Sequence, residues 1–302
     1  MSNQKIYNNL IIQAEKLRRH NRQGSFKTRE RYYDALKRFC QFLAEEYRLE
    51  KLANVAPKHF IAYSEAMKKR SLSPSTIKTD LAAIRFFHDQ MSNLRYQLPN
   101  NSELALARRQ FGKVDRTWSN REFNLILLKC MESKHSDFEA CIVIARYAGL
   151  RIHEVMKIDT AIARAALKND FITIKGKGGK VRDVPINHTI HVVLRNALER
   201  TLQGEKLFVP KDRHTHEVIK ELQTFIAYHR KSVQDEDSTR PMTFHGLRHT
   251  CAAEWYKDLI AKGNSDYQAR LQVSNWLGHE RDSVTNIYLA SVNGDEKEGD
   301  DV

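Results

Sequence analysis

Helical periodicity runs through most of the chain and limits it to a mainly α fold. Apolar residues recur every three or four positions over residues 27–47, which indicates an amphipathic helix. Pro57 suits the first turn of a second helix, and the SPST segment 73–76 opens a third. A fourth, shorter helix is predicted over residues 103–110. Four such helices joined by short loops predict a small helical bundle.

A second domain is predicted from residue 119, after a linker over residues 111–118. Ser119 and Glu122 have the spacing of a capping box, so we expect a helix to begin there. The sequence therefore predicts two domains, over residues 1–112 and 119–302.

One segment of the second domain breaks the helical pattern. Residues 171–174 alternate like a strand, Gly178-Gly179 gives a tight turn, and residues 181–186 return. This pattern predicts a β-hairpin, so the fold class is mainly α with a small hairpin sheet.

Charge is distributed unevenly along the chain. The net charge is +13 over 302 residues, and residues 1–118 alone carry 23 Lys and Arg against 11 Asp and Glu, while the last eight residues are acidic. A basic N-terminal third favours a polyanionic partner such as nucleic acid. Charge alone leaves a purely solubilising surface equally open.

Other classes of protein are disfavoured. No run of eighteen apolar residues suggests a membrane span, and the N-terminus is too polar for a signal peptide, so we expect a cytoplasmic protein. The four cysteines form no CxxC pair, which argues against a disulfide framework and a zinc cage. We expect them to be small buried side chains.

An arginine and a glutamate lie at a predicted junction between two helices. Gly149 can end the first helix in the left-handed conformation. Arg151 then begins the next helix, with Glu154 one turn further on the same face. An arginine in this place suits a phosphate ligand, although taken singly it also fits an exposed ion pair.

The turn of the predicted hairpin, KGKGGK over residues 175–180, carries three lysines on a glycine-rich loop. Such a loop can follow DNA into a groove, or it can be a solvated turn. Its spacing is not that of a nucleotide-binding P-loop.

Two further motifs follow. Thr243 is a plausible N-cap that places His245 and Arg248 in the first turns of a helix. His249 has metal-pair spacing to His245, but no glutamate lies between them and the adjacent arginine repels a cation, so we expect no metal. Gly278 is expected to end a later helix just before His279.

A tyrosine, Tyr288, follows His279 by nine residues. Alone, it is most simply a core residue. In order, however, these motifs resemble the tyrosine recombinase (lambda-integrase) family, and its Xer-type and mobile-element integrases in particular. The resemblance covers about residues 27–288 and implies a two-domain DNA clamp, with a helical core-binding domain and a catalytic domain.

The resemblance also assigns roles to individual residues. It implies six catalytic residues: Arg151, Lys177, His245, Arg248, His279 and Tyr288. It makes Glu154 the acid that supports the first arginine. We expect four other cations to contact DNA: Lys78, Arg85, Lys175 and Lys180.

The implied reaction is cleavage and rejoining of DNA through a 3′-phosphotyrosine at Tyr288. Two arginines would offset charge on the phosphate, Lys177 would protonate the leaving oxygen, and no metal, ATP or other cofactor is needed. The implied partner is double-stranded DNA with inverted core sites, bound by a homotetramer and not by a membrane. A bacterial or phage-encoded, nucleoid-associated protein fits this role.

Some features depart from the pattern or leave alternatives. The stretch from Arg248 to His279 is longer than in Xer-type proteins, and the short acidic tail puts docking of a C-terminal helix on a neighbouring subunit in doubt. A non-enzymatic DNA-binding relative would be expected to lack the tyrosine or an arginine. Type IB topoisomerases and hairpin telomere resolvases share the chemistry but are usually larger. Integration and resolution both remain open.

Overall fold

The computed structural model describes residues 2–22, 24–92, 94–108, 114–176, 179–278, 285, 288 and 289. The chain divides into two compact units, residues 1–110 and 111–302. Apolar side chains form a core within each unit. The predicted fold class is confirmed: helices predominate, and the described strands form one two-stranded antiparallel sheet.

The described part of the N-terminal unit contains four α-helices: α1 (Asn3–His20), α2 (Phe26–Phe42), α3 (Pro57–Lys69) and α4 (Pro74–His88). A π-helical turn at Leu43–Tyr47 continues α2, and a 3-10 turn at Leu52–Asn54 precedes α3. The three helices predicted from the apolar stripe, from Pro57 and from the SPST segment are therefore confirmed.

The first helix, α1, was not predicted. Ser2 caps it by accepting a hydrogen bond from the Lys5 amide, and Ile6, Leu10 and Ala14 are buried at intervals of four. Between these buried residues lie Tyr7, Asn8, Asn9, Ile11, Ile12 and Gln13, and Ile12 is exposed, so apolar residues also fall off the buried stripe and blur its period in the sequence.

The helix predicted over residues 103–110 is wrong for its described part, residues 103–108. The Asn100 side-chain oxygen accepts hydrogen bonds from the Ser102 and Glu103 amides, which winds the chain into a turn. Leu104 is buried in the core, and Ala105 has a φ of 46° that a helix excludes. The hydrogen bonds of the Asn100 side chain therefore stabilise a turn where the apolar periodicity predicted a helix.

The two cations singled out on α4 have different surroundings. Arg85 donates to the Pro99 carbonyl (3.0 Å) and to Asn101 Oδ1 (2.7 Å), and its guanidinium lies 5.4 Å from the centre of the Phe60 ring. Burial lowers the pKa of Arg85. Lys78 makes no ion pair or hydrogen bond within the described residues and is half-buried. Arg85 thus anchors residues 99–101 against the helices.

The C-terminal unit contains eight further α-helices and the hairpin within its described part. The helices are α5 (Asn120–Glu132), α6 (Ser136–Ala148), α7 (Ile152–Val155), α8 (Thr160–Asn169), α9 (His188–Glu199), α10 (Thr215–Val233), α11 (Phe244–Ala261) and α12 (Asp266–Leu277). Strands β1 (Phe171–Lys175) and β2 (Val181–Pro185) pair antiparallel, with Phe171 opposite Pro185 and Lys175 opposite Val181. The predicted hairpin is confirmed.

The predicted helix ends are largely confirmed. Ser119 and Glu122 form the expected reciprocal capping box. Gly149 and Gly278 take left-handed conformations, with φ of 58° and 68°, and end α6 and α12. Thr243 occupies the N-cap position of α11, but its side chain makes no capping hydrogen bond. Gly149 places residues 150–151 directly after a turn that a β-carbon would strain, and Gly278 makes the same kind of turn at the end of α12.

The cysteines behave as expected. Cys40, Cys130, Cys141 and Cys251 are free thiols, and each is buried. Among the described helices, none combines the length and apolar character that crossing a bilayer requires.

The different surroundings of Arg85 and Lys78 give a stability prediction. Replacing Arg85→Met removes two hydrogen bonds and should lower the free energy of unfolding by about 1–3 kcal/mol. The matched variant on the same helix, Lys78→Met, should change it by less than about 0.5 kcal/mol. Denaturant unfolding of the full chain, followed by circular dichroism, measures both. Equal effects of the two substitutions would contradict the anchoring role of Arg85.

Candidate active site

The first element of the site is the Arg151–Glu154 pair at the start of α7. The Arg151 amide donates to Glu154 Oε2 at 2.9 Å, and its guanidinium Nη1 donates to Oε1 at 3.0 Å. The Glu154 side chain has no exposed surface, whereas 26% of the Arg151 side chain is exposed. The carboxylate therefore lies behind the arginine and leaves part of the guanidinium open to a ligand.

Arg248 lies deeper, on α11. Its guanidinium donates to the Gly149 carbonyl and to the Leu277 carbonyl, both at 2.5 Å, at the ends of α6 and α12. Nη1 is also 3.9 Å from Glu154 Oε2. Burial, with a contribution from the charge of Arg151, lowers the pKa of Arg248 to about 10. The group therefore stays cationic at neutral pH and joins two helix ends to the site.

A third arginine, Arg182 on β2, was not singled out from the sequence. Its Nη1 and Nη2 donate to the two oxygens of Glu154 at 3.1 and 2.8 Å. The alternation of residues along the strand could have identified it. Arg182 shares the inward face of β2 with Val184, and an apolar residue is expected at such a position. A charged residue in that place indicates a buried partner.

Glu154 is held as an anion by these arginines. Burial by itself would raise its pKa, but hydrogen bonds and charge from Arg182, and then from Arg151, outweigh it and lower the pKa to about 2. The carboxylate is therefore ionised throughout the physiological range, and it anchors guanidinium groups from three separate elements.

Tyr288 is close to the helix that carries Arg248. Its hydroxyl is 3.2 Å from His245 Nε2, and 7% of the residue is exposed. The ring stacks on His249, with centroids 4.3 Å apart and planes 25° from parallel. The Arg248 guanidinium carbon is 5.4 Å from the ring centre. The structure thus brings Tyr288 together with His245 and Arg248, which lie 43 and 40 residues earlier in the sequence.

Both histidines are poor bases here. Desolvation by the surrounding protein, followed by the charges of Arg248, Arg151 and Arg116, lowers the pKa of His245 to about 4, although the residue keeps exposed surface. Desolvation, His245 and the same cationic surroundings lower that of His249 to about 3. Both imidazole rings are therefore neutral at pH 7. A neutral ring nitrogen of His245 can accept the Tyr288 proton.

His249 and Arg116 were also missed as members of the site. The sequence marked His249 only as a possible metal partner of His245, and its packing on Tyr288 has no signal at the level of residue spacing. Arg116 lies in the predicted linker and influences both histidines by its charge. Within the described residues no cluster of His, Cys, Asp or Glu is suited to a metal ion.

Two of the predicted site residues, Lys177 and His279, lie outside the described residues. The base of the hairpin is described: the Gly176 amide donates to the Lys180 carbonyl at 2.8 Å, and Lys175 and Lys180 are exposed. A β-carbon added to Gly176 would lie 3.4 Å from Glu154 Oε1. The hairpin that carries Lys177 therefore abuts the buried carboxylate.

The low pKa values of His245 and His249 predict an unusual titration. In the unfolded chain both rings bind protons near pH 6.5, whereas in the folded protein they do so only near pH 4 and below. The folded state should therefore lose stability as the pH falls from about 6.5 to about 4. An NMR titration of the free protein measures the pKa values of the two rings directly, and the variants His245→Gln and His249→Gln assign their signals. Midpoints near 6.5 for these two rings would be inconsistent with their surroundings.

Similarity to known proteins follows the two units. Residues 119–294 match the phage integrase family, and residues 17–91 match the phage integrase N-terminal SAM-like domain. The chain is 29% identical to the integrase/recombinase y4rC of Sinorhizobium fredii, over 51% of this chain and 45% of that protein. The aligned part thus spans less than half of that relative. The present chain is also 24% identical to the tyrosine recombinase XerC of Natranaerobius thermophilus, over 87% of this chain and 88% of that protein.

Solved structures show the same fold. A lambda integrase dimer bound to a COC' core site aligns with a TM-score of 0.64 at 16% identity, over 94% of this chain and 76% of that chain. The Tn1549 transposon integrase in complex with transposon right end DNA aligns with a TM-score of 0.59 at 17% identity, over 99% of both chains. The family match covers more than half of the sequence and confirms the resemblance drawn from its motifs: the chain belongs to the phage integrase family of tyrosine recombinases.

Proposed function

We propose that this protein carries out site-specific recombination by cutting and rejoining double-stranded DNA through a transient covalent bond at Tyr288. The observation that supports this best is the placement of the Tyr288 hydroxyl 3.2 Å from a neutral imidazole of His245 and next to the cationic Arg248. A phenol with a pKa of about 10 is a weak nucleophile until a base accepts its proton or nearby positive charge stabilises the phenolate. His245 offers a neutral ring nitrogen as acceptor, and because its low pKa makes it a weak base, the positive charge of Arg248 supplies most of the stabilisation of the phenolate.

In the first step the Tyr288 oxygen attacks the phosphorus while its proton passes to His245. A new P–O bond to the tyrosine forms, and the bond from phosphorus to the 5′-oxygen breaks. Arg151, with its open guanidinium, holds a non-bridging oxygen, and Arg248 adds positive charge from below the tyrosine ring. The products are a 3′-phosphotyrosine and a free 5′-hydroxyl.

The leaving 5′-oxygen needs a proton, since an alkoxide is a poor leaving group. Lys177, on the glycine-rich turn of the hairpin, is proposed as this general acid. His279 is proposed to hydrogen-bond the phosphate. The phosphotyrosine conserves the energy of the broken bond, so rejoining to another strand runs the same steps in reverse and needs no nucleotide.

The proposed partner is double-stranded DNA with inverted core sites, bound by a homotetramer in the bacterial nucleoid. The basic N-terminal third of the chain supports a long phosphate contact. We propose that Lys78, Lys175 and Lys180 contact the phosphate backbone of the DNA. Arg85 is less suited to such a contact, because its guanidinium is hydrogen-bonded within its own unit. Among the similar structures, lambda integrase is described as a tetramer bound to a Holliday junction. An element integrase and a resolvase both fit this role.

The nucleophile is tested by removing one oxygen atom. Tyr288→Phe should bind DNA as the wild type does, because the phosphate-binding arginines remain, but it should form no covalent adduct. Incubation with a nicked suicide substrate and electrophoresis under denaturing conditions separates these outcomes. A DNA-linked protein band that persists in Tyr288→Phe would show that another residue attacks the phosphate.

The general acid is tested by changing the leaving group. Lys177→Ala should block cleavage of an ordinary 5′-oxygen, and a 5′-bridging phosphorothiolate should restore it, because a thiolate leaves without protonation. Arg151→Ala should remain impaired on both substrates, since it stabilises charge on the phosphate. Lys175→Ala and Lys180→Ala are the matched controls and should weaken binding rather than chemistry. Sulfur rescue of Lys180→Ala instead of Lys177→Ala would move the acid to residue 180.

A further inference from the structure

We propose that Arg182 is a positioning residue of this active site: it holds Glu154 and the end of α12 in place, so that Arg151 stays available to the scissile phosphate. This role rests on the proposed function, because it concerns the geometry of the same phosphate site. Arg182 itself is assigned no contact with DNA.

The first support is the number of bonds that Arg182 makes inside the protein. Its two terminal nitrogens donate to the two oxygens of Glu154, and Nε donates to the Trp276 carbonyl at 2.8 Å. One planar guanidinium therefore joins β2 to the start of α7 and to the last turn of α12. Only 6% of its side chain is exposed, so it is poorly placed to meet a phosphate backbone.

The second support is the charge around Glu154. A single carboxylate lies among Arg151, Arg182 and Arg248, at distances of 3.0, 2.8 and 3.9 Å. Arg182 is buried against both oxygens and offsets the negative charge of Glu154. The half-open guanidinium of Arg151 consequently keeps its attraction for an external anion. Without Arg182, the buried carboxylate would draw Arg151 inward to satisfy its own charge.

The third support is the close fit at the end of α12. A β-carbon added to Gly278 would come within 2.7 Å of Arg182 Cδ and 3.2 Å of Nε. The chain therefore passes directly over the Arg182 side chain at the turn that precedes His279. Any shift of Arg182 displaces this turn as well as Glu154.

A lysine cannot reproduce these contacts. It preserves the positive charge but presents one nitrogen on a flexible stem, whereas three nitrogens of Arg182 bond two partners in one plane. Misplacement of catalytic groups by about 1 Å can slow an enzyme on the order of 100-fold. We therefore expect Arg182→Lys to slow single-turnover cleavage of a suicide substrate, at saturating DNA, on the order of 100-fold.

Two readouts separate positioning from a direct role. The dissociation constant for the same DNA should stay within about threefold of the wild type, because Arg182 itself makes no phosphate contact and the many other phosphate contacts of the chain supply most of the affinity. A 5′-bridging phosphorothiolate should not restore the rate, because the defect lies in the phosphate-binding arginines and not in the proton donor. The matched control is Arg200→Lys, whose arginine pairs with Asp137 at 2.6 Å on the exposed surface of the same unit. This control should cleave at the wild-type rate.

A second pair of variants tests the close contact between Arg182 and the end of α12 without altering any polar group. Gly278→Ala and Gly263→Ala both place a β-carbon on a residue with positive φ, 68° and 87°. The position at Gly278 meets Arg182, while nothing lies within 4 Å of the position at Gly263. Gly278→Ala should therefore slow cleavage far more than Gly263→Ala does, although both carry similar backbone strain.

The outcomes are decisive for each claim separately. Wild-type protein that forms no adduct refutes the proposed function. If the wild type cleaves, then a wild-type rate for Arg182→Lys, or equal rates for the two glycine variants, overturns the positioning role. Rescue of Arg182→Lys by the phosphorothiolate would show that it acts on the Lys177 hairpin instead of Glu154. A loss of DNA affinity as large as the loss of rate would also overturn it.

Discussion

A buried carboxylate organises the catalytic unit. Glu154 has no contact with solvent, and a charge in that position must be paired. Its partners are Arg151 at the start of α7, Arg182 on the hairpin and Arg248 on α11, so one anion fixes three elements relative to one another. The surplus positive charge that remains at this cluster is what an anionic phosphodiester requires.

The same cationic surroundings set the chemistry of the nucleophile. Positive charge and desolvation keep His245 and His249 neutral, so one ring can accept a proton from Tyr288 and the other can stack on it. Arg248 connects these groups to Glu154, because its guanidinium lies next to the Tyr288 ring and close to the carboxylate. The charge pattern that binds the phosphate therefore also keeps the base unprotonated, without requiring a separate device for each task.

The sequence predicted the fold class, the hairpin and the family, because these depend on residue periodicity and on short motifs with fixed spacing. It missed α1, whose buried stripe is blurred by apolar residues on other faces of the helix. It also wrongly predicted a separate short helix over residues 103–110, whose described part, residues 103–108, forms a turn because Asn100 bonds the backbone locally. Within the site it missed Arg182 and the stacking of His249, since both contacts join segments far apart in sequence. Spacing rules cannot report which distant side chains meet.

The central claim is that the phosphate is transferred to Tyr288, and the linked residue can be identified directly. Adduct trapped on a suicide substrate is digested with nuclease and trypsin, and the modified peptide is sequenced by mass spectrometry. Cleavage after Arg281 and Lys297 gives a peptide over residues 282–297 in which Tyr288 is the only tyrosine. The account predicts that this peptide carries the 3′-phosphonucleotide on Tyr288. A nucleotide on any other residue would contradict it.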